Sequence, residues 1–140
     1  MTHEYVIALN GRIEPDPGGE AEETALAWAA NAVIAVGPDE VVRAISRGDS
    51  TFLDLCGSVV TPLPEAPSHA DSLVREEQAT GADVARVLVE SGLLSAEASL
   101  EPGAPADLAF WDESGLVAIV RAGHFADGDD HRGPFPPPGS

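Results

Sequence analysis

Apolar residues in this chain come in short runs, each closed by a turn signal. Tyr5–Leu9 is the first, a β-prone run followed by Asn10-Gly11, the pair that most strongly signals a two-residue hairpin, with residues 12–14 as the returning strand. Residues 15–19 break that strand with proline and glycine, and the acidic stretch 20–23 reads as a solvated loop. Residues 24–28 and 32–36 make a second strand pair around Ala30-Asn31, where asparagine tolerates the left-handed backbone of a tight turn. The period then changes. Val41, Val42 and Ile45 recur at helical spacing, predicting a short helix over 38–47 with Gly48 as its C-terminal cap. Strands return at 51–55 and 58–61 around Cys56-Gly57, and residues 63–69 form a proline-punctuated loop. Helices are predicted over 71–79, with Ser68 or Asp71 as cap, and over 83–91, where Val84, Val87 and Leu88 share a face and Gly92 ends it. Beyond a turn-rich approach, strands are expected at 107–111, 115–120 and 124–126. Residues 127–140, acidic and then proline-rich, read as a flexible tail.

Many short strands with two or three short helices predict a mainly β fold, a small sandwich or pseudo-barrel. It is expected as a single domain over 1–126 with a helical insert at about 71–92, and the chain's 140 residues suit one such core.

Charge narrows the partners. The 24 acidic residues outnumber the 7 basic ones, a formal net charge of −17, which argues against binding nucleic acid or an anionic membrane, since both need clustered cations. Every basic residue is arginine, and with abundant Ala, Gly, Pro, Val and Asp this suggests a GC-rich bacterial gene. The lone Cys56 leaves no internal disulfide and is expected to be a small buried residue rather than a nucleophile. With no signal-peptide pattern and no membrane-length apolar run, a cytoplasmic location is expected.

Several motifs, in order, resemble the amidohydrolase (metal-dependent hydrolase) superfamily. They are Asn10-Gly11-Arg12-Ile13, Thr24-Ala25-Leu26-Ala27, Ile34-Ala35-Val36-Gly37 before a helix, and an aspartate-leucine strand, Leu53-Asp54-Leu55, leading to Val59-Val60-Thr61-Pro62. The closing motif is Ser99-Leu100-Glu101-Pro102-Gly103 followed by Ala106-Asp107-Leu108, with Val120-Arg121-Ala122-Gly123-His124 after it. The resemblance implies the composite β-sandwich domain of that superfamily, built from the two ends of the chain, but without the catalytic barrel. Between Pro62 and Thr80 there are fewer residues than one βαβ unit needs.

The metal motif departs from the family pattern. Where the resemblance implies two histidines in an H-x-H motif, the chain has His69-Ala70-Asp71, and without lysine there is no bridging carbamate. His69, Asp71, His124 and His131 are the residues to consider if a metal is present, but their scatter supplies no ligand set, so no metal, cofactor or catalytic residue is expected. Asp54 and Asp107 read as structural hydrogen-bond acceptors. Trp28, Phe110 and Trp111 read as core, although one of them is a candidate to face the absent barrel. That face would be covered by new side chains, by the helices within 71–91, or by a second copy. The leading expectation is a stand-alone structural or interaction module, as a homodimer or with a barrel-bearing partner. The alternatives are an enzyme subunit for C–N bond hydrolysis with a partner-completed metal site, and a small-ligand binding protein.

Overall fold

The computed structural model describes residues 5–14, 24–46, 50–80, 82–95, 100–126 and 135. Its first strand, β1 (Tyr5–Leu9), does not fold back at Asn10-Gly11. It pairs instead with β3 (Ala25–Ala29) on one side and, in parallel, with β5 (Thr51–Asp54) on the other. The residues after the turn, β2 (Arg12–Ile13), belong to a different sheet, where they lie parallel to β6 (Val59–Pro62). The predicted hairpin is thus a crossing from one sheet to the other. Cys56-Gly57 makes a second crossing beside it, carrying β5 into β6.

The two crossings are hydrogen-bonded throughout. Leu55 N–H donates to Leu9 O at 2.9 Å, Gly57 N–H to Asn10 O at 2.8 Å, Arg12 N–H to Ser58 O at 3.0 Å and Glu14 N–H to Val60 O at 2.8 Å. A ladder that continues through a sheet corner leaves no polar backbone group stranded there. Left-handed backbone makes the bends, with φ of 61° at Asn10, 53° at Cys56 and 84° at Gly57. Gly11 suits the close approach here, since a Cβ would lie 2.5 Å from Leu55 Cδ1 and 3.0 Å from Ser58 O, and one of these neighbours would have to shift.

The first sheet runs β4-β3-β1-β5, with β4 spanning Ala32–Gly37. The second runs β2-β6-β7-β8-β9, with β7 at Leu108–Asp112, β8 at Gly115–Arg121 and β9 at His124–Phe125. Both mix parallel and antiparallel pairs, and neither closes on itself. The expected mainly β architecture holds. The strands before and after the helical stretch meet where β6 pairs antiparallel with β7, from Val59 opposite Trp111 to Pro62 opposite Leu108.

Alternation along the strands sorts side chains into three buried layers. Val6, Ala8, Leu26, Trp28, Leu53, Val60, Leu108 and Phe110 fill the space between the sheets. Ile7, Leu9, Ala25 and Ala27 face the other way, under Val42 and Ile45 of the α1 region (α1, Asp39–Arg43). On the far side, Val59, Ala109 and Trp111 of the second sheet lie beneath α2 (Pro67–Glu77) and α3 (Ala82–Glu90). Strands covered on both faces read as unbroken apolar runs, which is why Tyr5–Leu9 and Leu108–Trp111 look so similar in sequence.

Several local expectations are corrected. Helix α1 ends at Arg43, short of residue 47. Helix α2 starts four residues before the predicted 71, at Pro67, whose missing N–H suits a first helical position, so Ser68 and His69 lie in the helix rather than in a loop. Neither Ser68 nor Asp71 caps it; Ala66 stands at the cap with φ 48° and no side-chain bond. At the β3–β4 turn the left-handed residue is Ala30 (φ 54°), not Asn31. Within the predicted flexible tail, Phe135 is the one residue described. It is buried in the central core, its ring centroid 5.1 Å from that of Phe110. An aromatic side chain gains more from that apolar slot than from solvent, and the rest of 127–140 lies outside the described residues. No helix among the described residues is long and apolar enough to cross a membrane.

Candidate functional site

Helices α2 and α3 occupy the outer face of the second sheet, in the stretch between β6 and β7. Their helical spacing builds the contact: Ala70 and Val74 from α2, with Val84, Val87 and Leu88 from α3, close over Val59, Ala109 and Trp111. Trp111 is fully buried. Its indole Nε1–H donates to Thr61 Oγ1 at 3.0 Å, and the Thr61 hydroxyl donates in turn to Pro62 O at 2.9 Å. The indole N–H and the Thr61 hydroxyl are thereby satisfied, which spares the desolvation cost of an orphaned donor under the helices.

Asp71 fastens the helices to the sheet. Its Oδ1 accepts from the Leu116 backbone N–H at 2.8 Å and from Arg75 Nε at 2.9 Å, one helical turn away. Gly115 lets the helix sit this close, because a Cβ there would fall on Asp71 Oδ1 and lie 2.6 Å from Arg75 Nε. Asp71 is therefore engaged in holding the β7–β8 turn against α2. His69, two residues earlier on the same helix, is about 200° away around its axis and exposed. The pair that invites a metal reading in sequence points in two directions. His124 is exposed on β9, at the edge of the second sheet, three strands from β6. His131 lies outside the described residues. Among the described residues, no group of three His, Cys, Asp or Glu could hold a metal ion.

The other singled-out residues have structural surroundings. Asp54 Oδ1 accepts from Asn10 Nδ2 at 3.0 Å and from Cys56 N–H at 2.9 Å, and these bonds, Asn10 foremost, hold its carboxyl below the usual value of 3.8. Asp107 Oδ1 accepts from the Ala122 N–H at 2.8 Å, bracing the β8–β9 turn. Cys56 is exposed, contrary to expectation, because its left-handed turn position aims the side chain outward. Partial desolvation and the nearby Asp54 carboxylate push its thiol above 9.0, away from the thiolate that a nucleophile needs. Trp28 and Phe110 both lie in the core between the sheets, ring centroids 6.3 Å apart, so of the three aromatics only Trp111 faces outward.

Sequence reasoning missed one feature. A cleft of about 190 Å³ opens beside the helices, where the apolar Val59, Val84 and Trp111 form its walls and Arg12, Asp112 and Glu113 its charged lining. The Arg12 guanidinium is anchored there by Glu14, Nε to Oε1 at 2.7 Å, and the carboxylate is buried. The sequence signal was the Arg12-Ile13-Glu14 alternation, which puts both charges on one side of β2. A broader groove of about 500 Å³ runs past Pro62, Leu63, Glu65, Leu93 and Leu94 at the far end of the helices.

No protein-family model and no curated protein matches the chain. Among solved structures it is similar to an uncharacterized metal-dependent hydrolase from Pyrococcus furiosus, with 19% sequence identity and a TM-score of 0.37. The match covers 53% of this chain and 16% of that one, so the chain corresponds to a small part of that hydrolase's length.

Proposed function

We propose that this protein is a stand-alone domain of the amidohydrolase composite type, without a catalytic site of its own, that acts as a structural or interaction module. The observation carrying this reading is the α2–α3 pair seated on Trp111. In the resemblance, the chain between β6 and β7 is the place of the catalytic barrel. Here it supplies two short helices whose apolar faces cover the sheet, with Thr61 satisfying the tryptophan beneath them. A domain whose exposed face has acquired its own cover is stable without a barrel beside it.

Elemental analysis of untagged protein, combined with light scattering on the same sample, tests the reading. The expected result is well under one metal per chain, a defined monomer or dimer mass, and a melting temperature unmoved by chelators. Close to one zinc, iron or manganese per chain would overturn it and favour a metal site completed by a partner.

A second reading, a small-ligand binding protein, is favoured by the cleft at Arg12. It is tested by thermal shift against small carboxylates and amines, because a ligand of the native state raises the melting temperature. A shift that is lost in Arg12→Ala supports this reading, and no shift at millimolar ligand removes it.

A further inference from the structure

The Asn10-Gly11 pair carries a reactivity that the fold requires but does not use. In an Asn-Gly sequence the glycine backbone nitrogen can attack the asparagine side-chain carbonyl carbon, because glycine has no side chain to obstruct the approach. Both residues suit this sheet crossing. A Cβ on Gly11 would collide with Leu55, and Asn10 combines a left-handed φ of 61° with three hydrogen bonds. Its N–H donates to Asp39 Oδ1 at 3.1 Å, its Nδ2 to Asp54 Oδ1 at 3.0 Å, and its carbonyl accepts from Gly57 N–H at 2.8 Å.

In the folded chain both reacting groups are occupied. The Gly11 N–H, whose nitrogen is the nucleophile, donates to Thr24 O at 2.8 Å, and the Asn10 amide is held toward β5 by Asp54. We propose that Asn10 is a spontaneous deamidation site gated by the fold, closed while the crossing is intact and open when it unfolds locally. The reaction forms a bond between Gly11 N and Asn10 Cγ. The Gly11 amide proton is lost to solvent, and the Asn10 side-chain nitrogen takes up a proton and leaves as ammonia. Water then opens the five-membered imide at either carbonyl, leaving aspartate or isoaspartate; no oxidant or reductant takes part.

The product does not fit the crossing again. A carboxylate at position 10 has no amide hydrogen for Asp54 and stands among the carboxylates of Asp39 and Asp54 in a chain already at −17. Isoaspartate also lengthens the backbone between β1 and β2, putting the ladder to Ser58 and Val60 out of step. Each deamidation therefore records an opening event and makes the next one easier.

The test incubates the intact protein at mildly alkaline pH, with and without denaturing urea, and follows position 10 by peptide mass and isoaspartate assay. Asn31, the other asparagine of the chain, is followed by Ala32 and serves as the internal control. The expected result is deamidation at Asn10 in urea, faster than at Asn31, and slowed on the order of tenfold or more in the native protein. Equal rates in native and unfolded protein, or no reaction at Asn10 in urea, overturn the proposal. Asn10→Asp, made directly, is expected to unfold at lower urea than Asn31→Asp; equal midpoints would mean that the product fits the crossing after all.

Discussion

Asn10 shows how much one polar side chain can organise. Its amide is the foremost cause of Asp54's lowered pKa, so the folded state holds that carboxylate more firmly than the unfolded chain does. A depressed pKa contributes stability that is present above the unfolded value of 3.8 and is lost as pH falls through the lower folded value. In Asn10→Ala, the Asp54 pKa is expected to return toward 3.8 and the acid limb of the stability profile to flatten below that pH, read from urea midpoints across the acid range. An acid limb identical to the parent's would remove Asn10 as the cause. The Thr61–Trp111 bond gives a second prediction at this scale. Thr61→Val keeps the shape but leaves the buried indole N–H without an acceptor, an expected loss of about 1–3 kcal/mol in urea unfolding. A neutral Thr61→Val would mean that the indole finds another partner. Such pairings were not legible in the sequence, since Thr61 and Trp111 are 50 residues apart and only the register of β6 on β7 brings them together.

The helices α2 and α3 are the element on which the functional reading turns. Their amphipathic spacing was legible, and so was their approximate extent, because a 3.6-residue apolar period is a local property. What they cover was not. Leu88 is fully buried against the second sheet, so Leu88→Ala is expected to cost about 2–5 kcal/mol, the usual range for a core leucine. Val41, on α1, is 55% exposed, and Val41→Ala is expected to change stability by less than about 0.5 kcal/mol. A loss at Leu88 as small as that at Val41 would mean that the α2–α3 face is not a core. Asp71 belongs to the same element. Beside His69 it reads as half of a metal motif in sequence, but in three dimensions its carboxylate is committed to Leu116 N–H and Arg75. Two side chains two positions apart share a face on a strand and diverge on a helix, and the start of α2 at Pro67 decided between these outcomes.

At the scale of the whole molecule, the layers run helix, sheet, sheet, helices, with Phe135 closing the central core. The rings of Phe110, Phe125 and Phe135 lie 5.1 to 6.3 Å from one another, so the chain's last aromatic residue completes a cluster that begins on β7. Phe135→Ala is therefore expected to cost about 3–5 kcal/mol, a loss that a free tail residue would not show. The sequence by itself determined the periods, and with them the short strands, the helices, the buried apolar faces and the strongly acidic surface, because each depends on residues within a few positions of one another. The tertiary structure alone decided what each face meets. It turned Asn10-Gly11 from a hairpin into a crossing, because β1 gains parallel and antiparallel partners on both edges only if the chain changes sheets there. It placed Cys56 outward and Phe135 inward, and it set two helices over Trp111. Those outcomes rest on contacts between residues far apart in the chain, where packing and hydrogen-bond satisfaction override local propensity.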